Sequence, residues 1–169
     1  MIRQYTDSAM CLQCKGCCYF HSPAWAPRLL APEKQQIGME QMSGALIEDS
    51  GRLRCPFLQA ASHRCRIYPA RPLECALYPF LLSRRNDTLD LLAHRACAVV
   101  AETYDTAEFS LYAEYLETVL REPEILSVLQ REYHLFVPYD DAELIAVRRD
   151  IFGAEQGARA DGSISGRNE

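Results

Sequence analysis

The chain lacks several features that would settle its class early. No apolar run approaches the roughly 20 residues that a membrane-spanning helix needs. The opening Met1-Ile-Arg-Gln-Tyr-Thr-Asp7 has no basic-then-apolar layout of a secretory signal. A Ser-His-Asp pattern is missing, and Glu48, Asp49 and Glu74 form no obvious acid–base pair. These absences point to the cytoplasm and away from a membrane protein. Disulfides are rarely maintained in the cytoplasm, so its cysteines are read first as ligands or nucleophiles rather than as bridges.

Cysteine is what the chain has in excess. Eight occur in 169 residues. Four form Cys11-x-x-Cys14-x-x-Cys17-Cys18, and Cys55, Cys65, Cys75 and Cys97 follow. Apolar residues make up 49% of the chain, enough for a core. The length fits one domain.

The formal net charge of −5 is unevenly spread. Residues 52–97 carry eight arginines against Glu74, Asp87 and Asp90, and no lysine. Residues 98–169 carry fifteen acidic groups against six basic ones. Four thiolates around one divalent ion leave a formal charge of about −2, which Arg54, Arg64, Arg66, Arg71 and Arg95 are placed to offset. A solvated basic face is the bland alternative. Nucleic-acid binding is disfavoured, because the acidic C-terminal third would repel phosphate. The partner expected is a protein, with no membrane.

Residues 1–30 read as irregular, punctuated by Pro23, Trp25 and Pro27. Ala31-Pro32-Glu33 starts a short helix that stops near Gly38. Asp49-Ser50-Gly51 predicts a hairpin between residues 45–48 and 52–55. Phe80-Leu81-Leu82 and Leu89-Asp90-Leu91-Leu92 predict a second around Asn86-Asp87. Residues 56–79 between them look like loop. From residue 104 the period becomes helical. Asp105-Thr-Ala-Glu108 reads as a capping box, with Phe109, Tyr112, Leu116, Val119 and Leu120 inward. Pro123 starts a second helix. Asp140-Asp-Ala-Glu143 starts a third, with Leu144, Val147 and Ile151 inward and Gly153 as its stop. The expected fold is α-rich α+β, a loop-dominated cysteine region with small β-hairpins packed on a C-terminal helical part. One metal-binding domain is expected over residues 1–154 (cysteine region 1–100, helical part 101–154), then a disordered tail, 155–169.

C-x-x-C spacing lets a tight turn aim two sulfurs at one point, with backbone N–H groups stabilising the thiolates. Cys11, Cys14 and Cys17 are the best ligands on this ground, followed by Cys18, Cys55, Cys65 and Cys75. Cys97, in Ala-Cys-Ala-Val-Val, reads equally as ligand or core. Adjacent side chains of extended backbone point to opposite sides, so Cys17 and Cys18 more easily serve two centres than one. Eight cysteines suffice for two four-sulfur sites; the cautious count is one. His21, His63 and His94 stand near cysteines and are weaker candidates, and His134 reads as structural. Arg71 and Tyr68 are expected beside the site, Arg71 donating to a thiolate or loop carbonyl and Tyr68, like Tyr78, excluding water.

The triple C-x-x-C-x-x-C resembles the ligand run of bacterial ferredoxins, although Cys55-Pro56 lies far downstream and no second run occurs. The longer pattern is more specific. Cys11-x-x-Cys14-x-x-Cys17-Cys18, Cys55-Pro56-Phe57-Leu58 and Cys65-x-Ile67-Tyr68-x-x-Arg71-Pro72-x-x-Cys75-x-x-Tyr78-Pro79 resemble the CxxCxxCC cysteine-cluster family, proposed to chelate zinc or iron. The resemblance spans roughly residues 11–97 and implies metal or iron–sulfur binding by these cysteines. A similar cluster occurs in flagellin lysine N-methylases, but no S-adenosylmethionine loop stands out here. The sulfur-only ligand set admits zinc and iron–sulfur alike; the ferredoxin-like triple and the surplus of cysteines favour an iron–sulfur cluster. The readings to be tested are a metal-cluster protein that moves electrons, carries a cluster or supports a modification enzyme; a zinc-stabilised interaction module; and a metalloenzyme acting on a peptide or protein.

Overall fold

The computed structural model describes residues 2–14 and 16–153. The expected tail falls outside them. Helices α1 (Ser8–Cys14), α2 (Ala31–Ile37), α3 (Leu73–Leu77), α4 (Ala98–Thr103), α5 (Ala107–Leu120) and α6 (Pro123–Glu132) accompany two three-stranded antiparallel sheets. The first sheet has the order β1 (Tyr19–Phe20), β3 (Arg52–Arg54), β2 (Ile47–Asp49). The second has the order β4 (Phe80–Arg85), β5 (Thr88–His94), β6 (Leu144–Arg148). The chain is therefore α+β, as expected.

Both predicted hairpins form. In the first, Asp49 pairs with Arg52, and Ser50 and Gly51 take φ of 53° and 78°. Positive φ at both central residues matches the strand twist, and glycine adopts it without strain. In the second, Arg85 pairs with Thr88 around Asn86-Asp87, and the ladder runs to Phe80 opposite Ala93.

Phe80, Leu82, Leu89, Leu91 and Ala93 share one sheet face, because alternate residues of a strand point the same way. Val100, Phe109, Tyr112, Leu116, Leu120 and Leu129 close over them as the main core. The Phe80 ring stacks on Phe109 at 5.3 Å, and Tyr5 packs edge-on against both. A second, smaller core gathers Ala26, Leu29, Met42, Cys55 and Leu58 beside the first sheet.

Three expectations need correction. Residues 144–148 form β6 and not a helix. Asp141 and Glu143 make a local turn, with the Asp141 Oδ1 accepting from the Glu143 N–H at 2.8 Å. Leu-Ile-Ala-Val then meets the open edge of β5, where backbone pairing and β-branched packing outweigh the helical spacing. Second, α5 is capped one residue later than expected, by Thr106, whose hydroxyl accepts from the Phe109 N–H at 3.2 Å. Third, α1 and α3 form inside stretches read as irregular or loop.

Asp90 is 2% exposed on the far face of β5. It accepts from Arg85 at 2.7 and 3.0 Å, from Arg149 at 2.5 Å and from the Asp150 N–H at 3.0 Å. Burial alone would raise its pKa; these donors overcome that and hold it below the ordinary value. A depressed folded pKa contributes stability at neutral pH that is lost as pH falls below about 4. Asp90→Asn is expected to lower unfolding stability at pH 7 by on the order of 2 kcal/mol. The gap to the parent should close in acid, as urea titrations across pH 3–7 will measure.

Candidate metal centre

The cysteines come from separate elements. Cys11 and Cys14 stand three apart on α1, hence on one helix face. The Cys11 sulfur lies 3.0 Å from the buried Thr6 hydroxyl. The chain then turns through Gly16, where an added Cβ would stand 3.4 Å from the Cys14 sulfur. Cys17 and Cys18 follow and lead into β1. The Cys18 carbonyl accepts from the Cys55 N–H at 2.9 Å, which brings the N-terminal run to the end of β3. Leu58 and Cys65 form an isolated antiparallel bridge. Cys75 sits in α3, and Cys97 caps the start of α4, with its N–H on the His94 carbonyl at 3.1 Å.

The thiols sense one another. The Cys18 thiol donates to Cys17 and holds Cys17 down at about 7, against burial. Cys18 itself is pushed up by that bond, by burial and by Cys17, Cys55 and Cys75. Burial first, then neighbouring cysteines, raise Cys55, Cys65 and Cys75. Cys11 is raised by burial and by Cys17, Cys97 and Cys14, which more than offset its Thr6 hydrogen bond. Backbone N–H groups of Phe57 and Leu58 point at the Cys55 sulfur, and that of Ile67 at Cys65. Such donors stabilise thiolates. Cys14 and Cys17 are exposed, Cys55 is buried, and the others are half-buried.

Among the described residues, no three Cys, His, Asp or Glu side chains stand as a group that could hold a metal ion without moving. The donor set nevertheless fits a thiophilic ion: sulfur ligands, amide donors aimed at them, and mutual repulsion that a cation would relieve.

Arg71 lies over the Tyr68 ring at 4.0 Å and donates to the Tyr68 carbonyl at 3.3 Å. Its charge, with that of Arg66, opposes the burial of Cys65. Arg54 is tied to Asp49 at 2.9 Å and to the Leu58 carbonyl at 2.9 Å. Arg95 lies over Tyr104 at 5.0 Å, and Arg64 is exposed. His21 and His134 are exposed. The His63 Nδ1 is buried without a partner, at a residue with φ of 54°. His94 stacks on Trp25 at 5.2 Å and faces the Tyr78 hydroxyl at 3.5 Å. Tyr78 is half-buried among Cys97, Cys17, Cys14 and Cys11, and its pKa is raised by burial and then by these thiols.

The family model of CxxCxxCC domains, described as "Putative zinc- or iron-chelating domain", matches residues 10–108. The chain belongs to the CxxCxxCC family. All eight cysteines fall inside the CxxCxxCC match, and most of α5 and all of α6 and β6 lie beyond it. Comparison with curated proteins and with solved structures gives no significant match.

Three carboxylates have a role that the sequence reading did not assign them. Glu74 accepts from the Arg28 N–H at 2.6 Å. Glu33 accepts from the Leu30 and Leu73 N–H groups at 2.9 and 2.6 Å. Glu132 accepts from the Ala31 N–H at 2.8 Å. They fasten residues 28–33 between α3, which carries Cys75, and α6. No local pattern marks such a role, because each carboxylate bonds at least one amide distant in sequence.

Burial raises the Glu74 pKa to about 7, against the attraction of Arg28, and its Oε1 has no hydrogen-bond partner. A carboxyl whose folded pKa exceeds its unfolded value loses stability as pH rises from about 4 to the folded pKa. Glu74→Gln removes that loss. The variant's stability relative to the parent is expected to climb between pH 4 and 7, by on the order of 3 kcal/mol, and to level above. Paired urea titrations of parent and variant at matched metal content will measure it.

Proposed function

We propose that the protein is a metal-cluster protein whose cysteines hold an iron–sulfur centre, and that it moves electrons, carries the cluster or supports a modification enzyme. One observation supports this above all: thiols carried on separate elements influence one another, Cys17 acting on Cys11, Cys55, Cys65 and Cys75, and Cys97 and Cys14 on Cys11. Cys11, Cys14, Cys17, Cys18, Cys55, Cys65, Cys75 and Cys97 are assigned as ligands. A bound iron–sulfur centre supplies one-electron redox chemistry tuned by hydrogen bonds and solvent access.

The protein's part is to set those two quantities. The amides of Phe57, Leu58 and Ile67 donate to sulfur. Tyr78 shields the side nearest Cys97, and Arg71, held on Tyr68, offsets thiolate charge near Cys65. Exposed Cys14 and Cys17 leave one side open, which suits delivery or exchange with a protein partner in the cytoplasm.

The small second core favours a zinc-stabilised interaction module as the alternative. It rests on five buried residues, one of them Cys55. Zinc binding supplies on the order of 10 kcal/mol to folding in small thiolate sites, and a core this slight would gain much from it.

Anaerobic purification of the full chain, followed by iron, acid-labile sulfide and zinc assays, separates the two. The expected result is a brown protein with stoichiometric iron and sulfide. A colourless protein with stoichiometric zinc and no sulfide overturns the redox reading and leaves the module.

A further inference from the structure

Residues 2–7 form an arm ahead of α1, and most of them are fastened to the body of the fold. Ile2 joins the main core. The Arg3 N–H donates to the Tyr115 hydroxyl at 2.8 Å, the Tyr112 hydroxyl donates to the Arg3 carbonyl, and the Arg3 guanidinium lies over the Tyr115 ring at 5.0 Å. Gln4 donates to the Ala76 carbonyl of α3 at 3.2 Å. The Tyr5 hydroxyl is 2.6 Å from that of Thr103 in α4, and its ring meets Phe80, Phe109 and Tyr112. The arm is thus tied to α3, α4 and α5 at once.

Helix α1 packs far less firmly. Among its described side chains none is buried: Ala9, Met10 and Cys14 are exposed, and Cys11 and Leu12 are half-buried. A helix of seven residues is too short to stand without outside support. Cys11 is held from behind instead. Its N–H bonds the Asp7 carbonyl at 3.2 Å, and its sulfur lies 3.0 Å from the Thr6 hydroxyl, on a residue only 8% exposed. Asp7 also turns the chain into the helix, its Oδ1 accepting from the Ala9 N–H at 2.8 Å. Two consecutive arm residues therefore hold the backbone and the sulfur of one cysteine. The arm and its partners Phe109, Tyr112 and Tyr115 all lie outside residues 10–108, so this support comes from outside the family domain.

Resting on the reading that the cysteines bind metal, we propose that Thr6 is a positioning residue for the metal centre: its hydroxyl donates to the Cys11 sulfur, and the arm behind it fixes where that ligand stands. A buried hydroxyl needs a hydrogen-bond partner, and among the described residues the Cys11 sulfur is the one the Thr6 side chain has. A metal-bound thiolate carries no proton, so the bond then has one direction, from oxygen to sulfur. Groups that bond a ligand from behind orient it and set how strongly it donates to the metal. Thr6 is able to do so because Arg3, Gln4 and Tyr5 leave it little freedom. Helix α5, which carries no cysteine, thereby takes part in metal binding through Tyr112 and Tyr115.

Cobalt(II) is a suitable probe, because thiolate coordination gives it an intense sulfur-to-metal charge-transfer band. The reduced, metal-free full chain is titrated anaerobically with Co(II) in competition with a chelator, and each variant is checked for fold by far-ultraviolet circular dichroism. Thr6→Val keeps the shape and removes the hydroxyl. It is expected to weaken Co(II) binding by about 10- to 100-fold and to move the band to longer wavelength, because a sulfur that loses a donor gives up its electrons more easily. Thr6→Ser, which keeps the hydroxyl, should restore both affinity and band. If Thr6→Val does not fold, Thr6→Ala takes its place. An unchanged affinity or an unmoved band in the folded variant overturns the role of Thr6 and leaves metal binding intact. So does a loss that Thr6→Ser fails to repair, which marks the residue as structural. A folded, fully reduced parent that binds no Co(II) overturns the metal reading and this inference with it.

Discussion

Carboxylate oxygens accepting backbone N–H groups hold the cysteine region in place. Residues 28–33 cross between α3 and α6 with four of their own or neighbouring amides, those of Arg28, Leu30, Ala31 and Leu73, bonded to Glu74, Glu33 and Glu132. A buried amide without a partner costs roughly 1–3 kcal/mol, so each of these side chains is a constraint and not an ornament. The charge is the awkward part. Burial raises Glu33 and Glu74, and Arg28 is the nearby cation, with its guanidinium 4.0 Å from Glu74 and hydrogen-bonded to the Tyr139 hydroxyl. Since Glu74 immediately precedes Cys75, the geometry of one thiol is set by this clasp.

Much of the frame was legible because it follows from local rules. The hairpins announce themselves through Ser50-Gly51 and Asn86-Asp87, where backbone conformation restricts the residue type. Helices α2, α5 and α6 carry proline or a capping hydroxyl at their starts. What failed was decided at a distance. Leu144, Val147 and Ile151 satisfy a helical period, but β5 offers an edge, and Leu91–His94 pair with that segment instead. In α3, a stretch read as loop, Pro72 is the N-cap, and its carbonyl accepts the Ala76 N–H at 2.9 Å. The candidate ligands were visible as cysteines, yet their surroundings were not, since those depend on which core each thiol meets.

The arginine-rich block likewise has a divided role. Arg52, Arg71 and Arg95 lie over the rings of Tyr19, Tyr68 and Tyr104. Arg54 and Arg85 are committed to Asp49 and Asp90. Few of the eight charges are left to offset thiolates, and Arg71 and Arg66 near Cys65 are the ones that do. Cation–aromatic contact keeps a guanidinium in place without neutralising it. An arginine held on a tyrosine therefore still attracts sulfur, whereas one held by an aspartate largely does not.

The two cores give the metal a structural consequence whichever ion it is. The main core joins the β4–β5 sheet to α4 and α5 through many large side chains and has no need of a ligand to exist. The second core has five small or medium residues, with Cys18 and Cys55 among its packing. Metal shared between Cys55 and Cys75 would cross-link this weaker lobe to α3, and through Glu74 to the clasp on residues 28–33. Binding there would act mainly by removing conformational freedom from loops, the term that small cores are least able to offset. Cys97, by contrast, meets a core that already stands, so metal bound there would contribute less to folding. What bound metal would contribute to stability therefore depends on which of the two cores its thiols brace.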